Sequence, residues 1–155
     1  MALAELVRQL GQEIGLSHLD LDPDTQAIRL VFGEDLEVEF EEPGTGNLCF
    51  VYASVGPMPV NTSASRFLET MNANLFGRDT GGAVLGYDAA REELVLFIRF
   101  HSHEVSYATF RREIDAFLAA LKKWREQLKS HAAPPPSDAA TPLPSAAETL
   151  TFVKV

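Results

Sequence analysis

The residues of this 155-residue chain most able to do chemistry are few and scattered. His101-Ser102-His103-Glu104 puts two imidazoles at i and i+2, and on a strand both would point to one face and reach a single ion. The other two histidines, His18 and His131, fall in a turn and in a Pro-rich stretch, so no second ligand group accompanies the pair. The segment also reads as a strand-to-helix turn in which Ser102 or Ser106 caps the helix that follows. Gly77-Arg78-Asp79-Thr80-Gly81-Gly82 carries glycines, but it leads into a strand and no lysine follows. A phosphate loop needs strand, glycines, lysine and helix N-terminus in that order. Ser54, Ser65 and Cys49 lack the elbow or triad context of a nucleophile, and the carboxylates show no acid–base pairing. Asn61-Thr62-Ser63 matches a glycosylation acceptor, which has no meaning in a cytosolic setting. The lone Cys49 excludes an intramolecular disulfide and a multi-cysteine metal site. Nothing here reads as an active site, and no metal or cofactor is expected.

The composition fits one folded domain and rules out wholesale disorder. At 46% apolar and 23% charged residues, the chain has the material for one hydrophobic core. Twenty-two acids against thirteen bases leave a charge of −9, which repels phosphate backbones and argues against nucleic acid. The charge is uneven: residues 1–60 hold eleven acids and only Arg8 and Arg29 as bases, whereas residues 101–133 carry six bases against four acids. One reading is simple solvation. The other is that the acidic front half selects a partner by complementary charge. No apolar run is long enough to span a membrane, and the first fifteen residues lack the basic start and apolar block of a signal peptide. A reducing, cytoplasmic location is expected.

The elements follow from periodicity. Leu3, Leu6, Val7, Leu10 and Ile14 mark an amphipathic helix over 2–14 that stops at Gly15. Ile28, Leu30 and Phe32, then Leu36, Val38 and Phe40, alternate with polar residues around Gly33-Glu34-Asp35, an antiparallel hairpin whose second strand has one acidic face. A third strand is expected over 48–55, broken by Gly56-Pro57-Met58-Pro59. The pattern predicts a helix over 62–75, with Ala64, Phe67, Leu68, Met71 and Leu75 on one stripe. Strands over 83–87 and 94–100 and a long helix over 105–129 complete the order α-β-β-β-α-β-β-α. Only one strand–helix–strand passage occurs, so the expectation is an α+β sandwich with a twisted, mainly antiparallel sheet rather than a doubly wound fold. Residues 1–129 form this domain. Residues 130–148, with five prolines, read as a Pro/Ala-rich linker, and 149–155 (TLTFVKV) as a strand-prone tail. The nineteen linker residues reach about 60 Å at about 3.1 Å each, enough to bring the tail to a strand edge of its own chain or of a partner.

The run Asn74-Leu75-Phe76-Gly77, then Thr80-Gly81-Gly82-Ala83-Val84-Leu85-Gly86-Tyr87-Asp88, then Leu94-Val95-Leu96, resembles the class I type III secretion chaperones, the family that includes the Tir chaperone. Family members carry a motif like LFxxTGGxxLGxD; here Gly77, Arg78 and Asp79, three residues, stand between Phe76 and Thr80, and the likeness covers residues 3–129. It departs where the family commonly has a Leu-Pro-Leu-like segment and this chain has Phe100-His101-Ser102-His103-Glu104.

The resemblance implies a bacterial, cytoplasmic, non-catalytic homodimer. Such a protein binds the N-terminal chaperone-binding region of a secreted virulence effector, keeps it extended and delivers it to the secretion ATPase. By position, the dimer seam would comprise Phe67, Leu68, Met71, Leu75, Val84, Leu85 and Tyr87, with glycines 81, 82 and 86 allowing close approach. The Phe67/Met71 stripe reads equally as ordinary core. An extended client would add a strand to an exposed sheet edge and place alternate side chains in apolar pockets. Candidate pocket residues are Leu6 and Leu10 with Val31, Phe32, Val38, Phe40 and Phe50, some of them necessarily core. The alternative is a cytosolic protein of the same fold with a folding or regulatory role and no secreted client. A small-molecule-binding domain or enzyme is a third reading, one without a polar cluster to support it.

Overall fold

A computed structural model of the chain describes residues 2–16, 18–44 and 47–130. The linker and tail lie outside it. Helix α1 (Leu3–Glu13) buries Leu3, Leu6, Val7 and Leu10 almost completely. A cross-domain contact holds its first turn: Leu3 N–H donates to Glu42 Oε2 at 3.2 Å, and Glu42 Oε1 accepts from Ser102 Oγ at 3.1 Å. One carboxylate thereby fixes both a helix N-terminus, where negative charge is favourable, and the turn before the last helix.

Strands β1 (Ala27–Phe32) and β2 (Leu36–Glu41) form the expected hairpin, with Arg29 opposite Glu39 and Val31 opposite Glu37. Strand β3 (Leu48–Pro57) pairs with β2 only through residues 50–52 but with β5 (Glu93–His101) along nearly its whole length. It runs two residues past its expected end because a register shift between Ser54 and Gly56 absorbs the irregularity without ending the pairing. Helix α2 (Ala64–Asn74) leads to β4 (Val84–Asp88). The five strands lie in the order β1-β2-β3-β5-β4, and every neighbouring pair is antiparallel.

Helix α3 (Tyr107–Ser130) crosses one face of the sheet. Phe110, Ile114, Phe117, Leu121 and Trp124 recur every three or four residues and bury against Val38, Phe40, Cys49, Val51 and Leu96. Each such side chain contributes about 1.5–3 kcal/mol when removed from water, so this layer carries the stability of the domain. Its N-terminus is capped as expected by Ser106, whose Oγ accepts from Thr109 N–H at 3.2 Å. Ser102 is instead buried and bonded to Glu42. Helices α1 and α3 are clasped together by Glu13, which takes hydrogen bonds from Tyr107 Oη and from Arg111 Nε. Those two donors stabilise the carboxylate and hold Glu13 below its usual pKa.

Candidate interaction surfaces

Helix α2 is built inside out. The face turned to the protein carries Arg66, Thr70 and Ala73, at i, i+4 and i+7, whereas Leu68, Met71 and Leu75, at i, i+3 and i+7, look outward. Leu68 and Met71 are 63% and 68% exposed. The next residue after Leu75, Phe76, is 91% exposed and held at φ +57°. A bulky residue in the left-handed region costs free energy, and the turn it makes is closed by Arg78 N–H to Leu75 O and Asp79 N–H to Ala73 O, both at 3.3 Å. Val84 on β4 is also open to solvent. The half-buried Phe67 and Tyr87 meet edge to face at 5.5 Å behind this surface.

The glycine motif that follows α2 is tied to α3. Thr80 is fully buried and donates to Ala83 O. Trp124 Nε1–H donates to Asp79 O at 3.0 Å, and Lys123 Nζ lies 3.1 Å from Asp79 Oδ1. A Cβ on Gly77 would stand 2.9 Å from Gly82 Cα, and one on Gly81 would stand 3.2 Å from Ala116 O of α3. Gly77 and Gly81 therefore serve close approach inside the protomer. Asn74 does the remaining positioning: its side-chain amide accepts from Leu85 N–H and donates to Leu85 O, both at 2.8 Å, in the manner of a strand residue. That pair of bonds occupies the outer edge of β4.

The opposite edge of the sheet is open. Glu42 N–H donates to Gln26 O across the hairpin, which fixes residues 28, 30 and 32 as the ones bonded to β2. The N–H and C=O groups of Arg29 and Val31 then point away from the sheet, and among the described residues none has a backbone partner. Beside this edge, Val31 is 60% exposed and Phe32 half-buried. The sheet face away from α3 carries Glu37, Glu39 and Glu41 from β2, half-buried Phe50 and Tyr52 from β3, and Val95 and Phe97 from β5. Tyr52 Oη sits 2.9 Å from Glu39 and 3.1 Å from Glu41, and burial together with these carboxylates raises its pKa.

These placements sort the residues expected from sequence. Leu68, Met71, Leu75 and Val84 are exposed, Phe67 and Tyr87 half-buried, and Leu85 is core. Of the expected pocket residues, Leu6, Leu10, Val38 and Phe40 present no surface, because α3 closes over them. Val31, Phe32 and Phe50 stay accessible on or near the open edge. Phe76 and Asn74 went unassigned in the sequence, although the exposed LFG turn directly after a helix was a signal for the first. His101 and His103 are half-exposed and lie 4.0 and 3.5 Å from Glu104. Among the described residues no group of three His, Cys, Asp or Glu side chains converges on a metal-sized site, and no helix is long and apolar enough to cross a membrane.

Three comparisons bear on this arrangement. The model of the Tir chaperone protein (CesT) family matches residues 5–125. A Chlamydia pneumoniae protein is 30% identical over 128 residues, covering 81% of this chain and 95% of its own. Among solved structures, the ExsC–ExsE complex superposes with a TM-score of 0.65 at 18% identity over 83% of this chain and 97% of that one. The HopA1–SchA chaperone–effector complex gives a TM-score of 0.59 at 15% identity over 79% and 91%.

Proposed function

The chain belongs to the Tir chaperone protein (CesT) family, the type III secretion chaperones, and from that premise we propose that it is a homodimer that holds the N-terminal region of one secreted effector in extended form. The outward apolar face of α2 carries the dimer half of this reading. A soluble protomer rarely turns two fully apolar side chains of a short helix to water while burying an arginine and a threonine beneath them. A second copy seated on Leu68, Met71, Leu75 and Phe76 would remove that surface and compensate for the strained Phe76.

The open β1 edge supports the client half. An extended segment gains backbone hydrogen bonds from Arg29 and Val31 and packs alternate side chains against Phe32 on one face and Val31 on the other. Phe50 and the acidic β2 face lie beyond, favouring a client with basic residues between its apolar ones. The role is one of binding, without a reaction step: the client is kept unfolded in the bacterial cytoplasm and delivered to the secretion apparatus, its ATPase included. The neighbouring HopA1–SchA structure, a chaperone–effector complex of similar fold, supports the same reading.

Light scattering after size exclusion tests it. The protein alone should elute at about 34 kDa, twice the 17.0 kDa protomer. Co-expression with the N-terminal region of an effector encoded beside it should shift the mass to two copies plus one client. A 17 kDa species that ignores the client would overturn both halves.

A further inference from the structure

We infer that residues 149–155 of this chain (TLTFVKV) dock on its own β1 edge as an added strand, occupying the place of a client. Docking itself is independent of the client reading; only the competition rests on it.

Of the two outer edges of the sheet, the β4 edge is already occupied at Leu85 by the Asn74 amide, while β1 presents the N–H and C=O groups of Arg29 and Val31 unbonded among the described residues. An edge of this kind is a template for one more strand. The chain also leaves the described fold beside it. The last turns of α3 pack against the β1–β2 turn: Arg125 Nη1 donates to Asp35 O at 2.8 Å, and Phe32, Leu36, Lys122 and Lys129 line one cleft between the two. Ser130 thus ends α3 at the end of the hairpin where β1 finishes.

From there the sequence supplies both reach and fit. Residues 130–148 span up to about 60 Å, whereas β1 is only about 20 Å long, so the tether imposes no strain. The segment that follows has seven residues to the six of β1 and alternates. Leu150 and Phe152 fall on one face, to meet half-buried Ile28 and Phe32, and Thr151 and Val153 on the other, to extend exposed Val31. Its single ionisable side chain, Lys154, is basic, against a first sixty residues that carry −9. A short strand binds weakly on its own, but the tether holds it at an effective concentration of about 1 mM, which favours the docked form about tenfold for an untethered dissociation constant of about 0.1 mM.

Amide hydrogen exchange on the full-length chain, without any client, tests the inference. The amides of Arg29 and Val31 should exchange about tenfold more slowly in the parent than in the double variant Leu150→Asp/Phe152→Asp. The Leu85 amide, bonded to Asn74, serves as the internal reference and should be unchanged. A Phe152→Leu variant should keep the protection. Equal rates in parent and double variant would overturn the inference, as would protection that grows with protein concentration, since that assigns the occupant to a second copy. Because no client is present, failure here leaves the chaperone reading standing, and failure of client capture leaves this result standing. If both hold, the double variant binds the client about tenfold more tightly.

Discussion

Helices α1 and α2 are both eleven residues long and use their apolar residues in opposite ways. In α1, Leu3, Leu6, Val7 and Leu10 vanish under α3 and the sheet, and the polar face meets water. In α2, Arg66, Thr70 and Ala73 are buried while Leu68 and Met71 face out. Among the described residues the apolar stripe of the first helix is covered and that of the second is exposed. Side-chain hydrophobicity therefore does not by itself locate a core. What decides is whether another element of the same chain covers the stripe, and for α2 none does among the described residues.

The sharpest way to break that comparison is to truncate one apolar residue in each helix. Leu10→Ala removes a side chain that is 1% exposed and leaves a cavity under α3, so it should lower the free energy of unfolding by about 2–5 kcal/mol in a denaturant titration. Met71→Ala, at 68% exposure, should change the stability of the isolated protomer by no more than about 0.5 kcal/mol. Equal losses at the two positions would show that α2 is packed within the protomer after all.

A charged pair then sharpens the contrast. Leu68→Asp/Met71→Asp leaves the protomer folded but would bury two carboxylates in any α2 seam. The dimer dissociation constant should rise a hundredfold or more, about 2.7 kcal/mol, seen as a fall in light-scattering mass on dilution. An unchanged mass would move the seam elsewhere and leave the apolar face of α2 for the client.

How far these surfaces were legible in the sequence depends on the element. The hairpin and α1 were readable because a period of 2 or 3.6 with one apolar face has a single economical solution. The stripe on α2 was equally periodic, but periodicity gives the face and not its direction, so a buried and an exposed stripe stayed equivalent until Arg66 and Thr70 proved buried. The pocket set was harder still. Val38 and Phe40 alternate just as Val31 does, and only the position of α3 across one sheet face separates them. Asn74 could not have been found this way, since its role is to imitate a strand, a matter of side-chain geometry with no sequence period.

The smallest effect expected here is a pH dependence set by the same burial contrast. Cys49 lies in the covered layer, fully buried, and removal of its thiolate from water pushes the thiol up to about 11, with the nearby Glu42 carboxylate adding to the rise. The folded state thus holds this proton more tightly than the unfolded chain, whose thiol titrates at its ordinary value of 9.0. Stability from this group is complete below pH 9, falls as pH rises from there and is fully lost above the folded value. By pH 10 the loss amounts to about 1 kcal/mol, and a Cys49→Ala chain should lack that part of the decline between pH 8 and 10. Tyr107 and Tyr52, also raised, begin to add their share as the pH approaches 10, so the difference between the parent and Cys49→Ala, and not the whole decline, is what reports the thiol. Alkylation gives a second readout: at pH 8 the native thiol should react at least tenfold more slowly than in denaturant, because both thiolate fraction and access are reduced. Fast native labelling would mean that the layer beneath α3 opens readily, and α1 would then be no more complete within the protomer than α2.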